Sequence, residues 1–186
     1  MFTKFISTAI AFQLSLSGMP AQTNKVMQTN NNQQAPGQVI KHGKLIYTEI
    51  LIHATPEKIW SILTNFSAYP EWNPFIKTIE GKPEVGGNIK AFIQPPGQKG
   101  MHFAPRVLQF TPNREFRWIG KVGISRIFDG EHTFVLEDQD NGTVLFKQYE
   151  RFRGVLVPFF KKMLDVDTIK GFEAMNEKLK AMAEGR

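Results

Sequence analysis

Between residues 44 and 154 the chain alternates short apolar runs with turn signals, and from 158 onward the apolar positions recur at a helical period. Residues 44–52 are rich in β-branched and aromatic side chains and predict a first strand. The string Ala54-Thr55-Pro56-Glu57 then carries the marks of a helix start. Thr55 is the cap, Pro56 takes the first helical position, and Glu57 puts a negative charge where the helix dipole favours it. Ile59, Trp60 and Leu63 fall on one side of that helix. The ring-dense, proline-interrupted piece 65–75 has room only for a short second helix in a packed elbow.

Six further strands are predicted over 76–80, 89–94, 102–110, 115–121, 125–137 and 143–154. The links between them are too short for crossover helices, so the strands should form an antiparallel meander. Asp140-Asn141-Gly142 is a strong hairpin turn. Pro158 opens the last element, in which Phe159, Phe160, Met163, Leu164, Phe172, Met175 and Leu179 form an apolar stripe running to Met182, with Gly171 as a candidate bend. A lone helix cannot bury such a stripe, so it should cross the concave face of the sheet. The expected class is α+β: a curved seven-stranded antiparallel sheet wrapped on a long C-terminal helix, with two short helices after the first strand.

The N-terminal part follows another pattern. Residues 1–21 combine Lys4, an apolar stretch from Phe5 to Leu16, and the small Ala21, the layout of a secretory signal peptide. Cleavage would make the protein periplasmic or secreted; a retained anchor or a cytoplasmic tail are the alternatives. Residues 22–40 are polar with little charge, the composition of a disordered linker. The folded unit is expected to be a single domain over 41–183.

Composition narrows the chemistry. The absence of cysteine excludes disulfides, a thiol nucleophile and thiolate metal sites. The net charge is +6, but the basic residues are interrupted by acids, as in Lys77/Glu80/Lys82/Glu84, so nucleic acid is not an expected partner. Sixteen Phe against three Trp and three Tyr is the unusual feature. Three of those Phe precede the folded unit, which leaves much ring volume to bury with few hydroxyls to satisfy.

The order of elements resembles the helix-grip fold of the START/Bet v 1-like superfamily, in particular its SRPBCC or polyketide cyclase/dehydrase-like group. The strings that carry the likeness are ATPEKIWSIL at 54–63, FSAYPEWNPF at 66–75, IEGKPEVGG at 79–87, PNREFRWIGK at 112–121, GEHTFVLE at 130–137 and FKQYERFRG at 146–154. The resemblance implies the fold, and a function between binding of a lipid or other small hydrophobic ligand and a cyclase or dehydratase reaction. It also implies that the elbow lies near a pocket entrance.

Strand alternation supplies candidate residues without the resemblance. With the hairpin centred on Asp140-Asn141, His132 should lie near Gln148 and Gly130 near Glu150. Gly130, His132, Phe134 and Leu136 then share an inner face with Phe146, Gln148, Glu150 and Phe152. A turn near Val122-Gly123 would add Phe116, opposite His132, and Trp118, opposite Gly130. With Phe172 from the helix, the candidate cavity comprises Phe116, Trp118, His132, Phe134, Phe146, Gln148, Glu150, Phe152 and Phe172.

His132, Gln148 and Glu150 are polar groups in a phenylalanine surface and need partners or water. Three readings stay open. The trio fixes strand register, it forms the polar end of a ligand cavity, or His132 acts as a base oriented by Glu150. Tyr69, Trp72 and Arg106 are candidates for the cavity entrance. Pro105 should interrupt the strand around it.

The four histidines, at 42, 53, 102 and 132, show no close metal-ligand spacing, and no HExxH, GxSxG or Walker A string occurs. No metal and no cofactor are expected. The expected partner is a small hydrophobic ligand, with a cyclase/dehydratase enzyme and a filled core acting through its surface as alternatives. The mature domain is not expected to insert stably in a membrane. Neither ligand identity nor oligomeric state is legible.

Overall fold

The computed structural model describes residues 25–29 and 43–186. The expected signal peptide and most of the expected linker lie outside the described residues. Lys25–Thr29, inside that linker, forms strand β1 and pairs antiparallel with β2 (Gly43–Ile52), Lys25 opposite Glu49 and Thr29 opposite Leu45. These five residues fall within the segment expected to be a polar linker. Edge pairing uses main-chain groups that every sequence carries, so a polar composition does not prevent it.

Helix α1 (Pro56–Thr64) follows, its Thr55 Oγ1 accepting from the Lys58 N–H at 3.3 Å. The elbow contains a 3-10 turn, Phe66–Ala68, and the single-turn helix α2 (Tyr69–Trp72). Asn73 Oδ1 closes it by accepting from the Phe75 and Ile76 N–H groups at 2.9 and 2.8 Å.

The remaining strands are β3 (Ile76–Glu80), β4 (Lys90–Ile93), β5 (Met101–Phe103), β6 (Arg106–Thr111), β7 (Glu115–Lys121), β8 (Asp129–Asp138) and β9 (Val144–Arg153). They form two sheets, one in the order β1-β2-β9-β8-β7-β6 and a small one in the order β3-β4-β5. The strand expected over 102–110 is thus two strands, broken at Ala104-Pro105, because proline lacks the N–H a continuous ladder needs. A single bridge between Asn88 and Arg106 ties the sheets together.

Past β9 the chain turns through a 3-10 segment, Val157–Phe160, and a π-helical segment, Met163–Thr168, into α3 (Ile169–Ala183). The buried stripe is Leu164, Thr168, Ile169, Phe172, Met175, Asn176 and Leu179. Asn176 Nδ2 donates to Thr48 Oγ1 at 2.9 Å and Lys180 Nζ to the Leu51 carbonyl at 2.5 Å, which seats α3 along β2. Gly171 lets the Phe75 ring lie directly on the helix, where a Cβ would overlap it. The stripe does not extend to Phe159 and Phe160, contrary to expectation. Their turn sits over the loop 122–128 rather than the sheet, so Phe160 meets the Phe128 ring at 5.1 Å and Phe159 is 81% exposed.

Candidate functional site

Inner-face assignment holds, but both hairpins are displaced by two residues from the expected pairing. His132 lies opposite Glu150 rather than Gln148, and Gly130 opposite Phe152. Trp118 lies opposite His132, Phe116 opposite Phe134, and Gly120 opposite Gly130. The reason is turn length. The β8–β9 hairpin is centred on Asn141 with Asp138 facing Val144, and the β7–β8 loop runs to Phe128. A two-residue shift changes partners but not faces, whereas a one-residue shift would have everted every side chain.

Trp118, His132 and Glu150 therefore form a row across β7, β8 and β9. The His132 ring lies flat on Trp118, centroids 4.8 Å apart with an interplanar angle of 5°. Phe134 and Phe172 meet it edge-on at 4.6 and 5.0 Å. Gln148 Nε2 approaches His132 Nε2 at 3.2 Å, and His132 Nδ1 approaches Glu150 Oε2 at 3.4 Å. With the amide so oriented Nε2 accepts, which places the ring proton on Nδ1, aimed at the carboxylate. Gln148 Oε1 has no hydrogen-bond partner among the described residues.

Of His132, Gln148 and Glu150, Glu150 alone lines open space. It lines a pocket with Ile93, Phe103, Pro105, Trp118, Gly120, Val122, Phe128, Gly130 and Phe152. The pocket lies where the edge of the small sheet faces β7–β9. Its cause is two missing side chains. Gly120 and Gly130 face each other on the inner side of adjacent strands, leaving a bare patch. The Glu150 carboxylate leans across it, so that a Cβ on Gly130 would come within 2.5 Å of Glu150 Oε1.

The enclosed volume is about 40 Å³, within a recess of about 380 Å³ that opens to solvent. The enclosed part has room for about three waters. Phe116, Phe134, Phe146 and Phe172 are fully buried and, with His132 and Gln148, fill the inner end rather than line it. The rings thus fill one end of the sheet–helix space and leave the other open.

Of the candidate cavity residues, the structure brings Trp118, Glu150 and Phe152 to the wall. The entrance candidates stand elsewhere. Tyr69 is fully buried, its hydroxyl donating to the Leu63 carbonyl at 2.8 Å, and burial pushes that phenol well above its ordinary pKa. Trp72 packs on it at 5.1 Å, and Arg106 Nε donates to the Gly86 carbonyl at 3.2 Å. Ile93, Phe103, Pro105, Val122 and Phe128 were not among the sequence candidates. Two signals could have found them: Pro105 breaking a strand, and the glycine parity that puts Gly120 beside Gly130. Among the described residues no group of three His, Asp or Glu is placed to hold a metal.

Known proteins give the arrangement a context. The chain is similar in structure to the Zhui aromatase/cyclase from Streptomyces sp. R1128, with 14% identity over 78% of this chain and 96% of that one and a TM-score of 0.62. A norcoclaurine synthase from Thalictrum matches with 15% identity, 78% and 97% coverage and a TM-score of 0.59. A START superfamily protein from Mycobacterium smegmatis matches with 20% identity, 74% and 98% coverage and a TM-score of 0.57. At these identities the likeness is one of fold. Among curated protein sequences none matches the chain. The fold is the helix grip of these START-like structures, and residues 45–184 match the model of the family described as polyketide cyclase / dehydrase and lipid transport, so the chain belongs to that family.

Proposed function

We propose that the protein binds a small, largely apolar molecule that carries one hydrogen-bond donor, with the apolar body between the two sheets and the donor on Glu150. The observation that supports this reading is the lining. Of its ten residues one is ionisable, and the rest are aromatic, aliphatic, proline or glycine. A half-buried carboxylate in an apolar wall favours a hydroxyl or amine, and repels a carboxylate guest. The family description, which includes lipid transport, is compatible with carriage of such a guest.

Paired ring probes test the reading. 1-Aminoanthracene offers an amine on an apolar body, and anthracene offers the body alone. Glu150→Gln should weaken the amine at least tenfold, the worth of a charge-assisted hydrogen bond, and leave anthracene unchanged. Fluorescence titration reads both. Equal affinity of the amine for the two proteins, or no binding of either probe, would rule the reading out.

A second reading, cyclase or dehydratase chemistry, draws on the 3.4 Å contact between His132 and Glu150. His132 is 1% exposed and Glu150 reaches the pocket, so the geometry suits Glu150 as the proton acceptor and His132 as a positioning residue. This reverses the roles considered from sequence.

A further inference from the structure

The most exposed apolar surface of the domain borders the pocket. Ile124 is 75% exposed, Val155 69%, Phe159 81% and Phe160 40%. They belong to two loops, 122–128 and 154–160. Val122 is exposed and also lines the pocket, as does Phe128, whose ring carries Phe160. Such a cluster of large apolar side chains at one end of a domain marks an interaction surface.

The two loops are built as one rigid platform. The Val155 and Leu156 N–H groups donate to the Arg126 and Ile127 carbonyls at 3.1 Å each. The Asp129 carboxylate accepts from the Arg126 N–H at 3.0 Å and from Ser125 Oγ at 3.3 Å, which holds Arg126 at φ 72°. Gly154, at φ 134°, lies so close to the Ile127 carbonyl that a Cβ would collide with it. These hydrogen bonds tie the two loops together and leave the apolar tips outward.

Along the two loops the charge is of one sign. Lys121, Arg126, Lys161 and Lys162 are exposed around these tips, and the segments 120–128 and 153–164 contain no Asp or Glu. The acids next along the chain are occupied: Asp129 caps its loop and Asp165 pairs with Lys44. Apolar tips ringed by cations match a bilayer with anionic headgroups, in which the rings enter the interface and the cations meet phosphates.

We propose that loops 122–128 and 154–160 dock on an anionic lipid surface, which brings the pocket mouth to the bilayer. The proposal stands on this surface alone and does not require a particular guest in the pocket.

The lack of cysteine permits a site-specific test in the full chain. An environment-sensitive fluorophore is placed on Val155→Cys and, as a control, on Gln139→Cys at the far end of β8. With phosphatidylcholine vesicles containing phosphatidylglycerol, the Val155→Cys label should gain at least twofold in emission and the Gln139→Cys label none. Pure phosphatidylcholine or high salt should remove the gain. Adding Ile124→Ser and Phe159→Ser should weaken the response at least tenfold, with an unchanged melting temperature because both side chains are exposed. The proposal is overturned by a silent Val155→Cys label, by an equal gain at Gln139→Cys, or by an equal gain on neutral vesicles. A gain that needs no vesicles and follows protein concentration, with a dimer in sedimentation, would assign the face to a second copy and also overturn it.

Discussion

Gly130 and Gly120 show how much of the site depends on atoms that are missing. Had either carried a side chain, the inner face of β7–β8 would have been covered and Glu150 would have had no shelf to lean across. A Cβ at Gly130 would meet Glu150 Oε1 at 2.5 Å and Phe152 Cε1 at 3.3 Å. The carboxylate is the flexible end of its side chain and can swing aside, so Gly130→Ala should alter stability by no more than about 1 kcal/mol. It should nonetheless cut 1-aminoanthracene affinity at least tenfold, because the methyl occupies the hollow and displaces the acceptor. Chemical denaturation and the same fluorescence titration separate the two effects, and retained affinity would count against Glu150 as the polar contact.

At the scale of elements, α3 is held to the sheet at its C-terminal end by Glu184. Its Oε1 accepts from the His53 N–H at 2.8 Å, it pairs with Arg186, and Lys180 Nζ stands 3.5 Å away. Burial pushes this carboxyl up, but the His53 hydrogen bond and the two cations outweigh it, so Glu184 titrates below its ordinary value of 4.5. A lowered folded pKa means that the stabilisation is complete above 4.5 and is lost as pH falls through the lower folded value. Glu184→Ala should therefore cost about 1 kcal/mol at neutral pH. In urea melts run from pH 7 to pH 3, the gap between wild type and variant should close at the acid end; a constant gap would exclude an ionised Glu184 as its source. Register is the other lesson at this scale. The alternation of Phe134, His132 and Gly130 identified the inner face, but the pairing across the hairpins depended on loop lengths that no single turn motif specifies.

At the scale of the molecule, the enclosed 40 Å³ is far below the several hundred that a drug-sized guest fills. Uptake of such a guest should require the small sheet to part from β7–β9. Asn88 and Arg106 offer a way to prevent it. The Ile89 N–H bonds the Pro105 carbonyl at 3.0 Å and the Val107 N–H the Gly87 carbonyl at 2.8 Å. These bonds flank the Asn88–Arg106 bridge, which makes it a non-hydrogen-bonded pair with the close approach a disulfide needs. The Asn88→Cys/Arg106→Cys protein, oxidised, should take up 1-aminoanthracene at least tenfold more slowly than when reduced, read by stopped-flow fluorescence. Equal rates would mean that the sheets need not separate.

By itself the sequence determined the element order, the inner face and the family likeness, because periodicity and capping are local properties of the chain. Thr55-Pro56 announced α1, and Pro105 announced a break in its strand. Tertiary structure decided the rest. Phe116, Phe134 and Phe146 share the inward parity of Trp118 and Phe152, Phe172 lies on the buried stripe of α3, and nothing local distinguishes a ring that fills from one that lines. The difference arises where α3 covers the sheet and where the small sheet stands off it. That spacing also put Glu150 rather than His132 at the wall. It depends on contacts between residues far apart in the chain, so no local pattern records it.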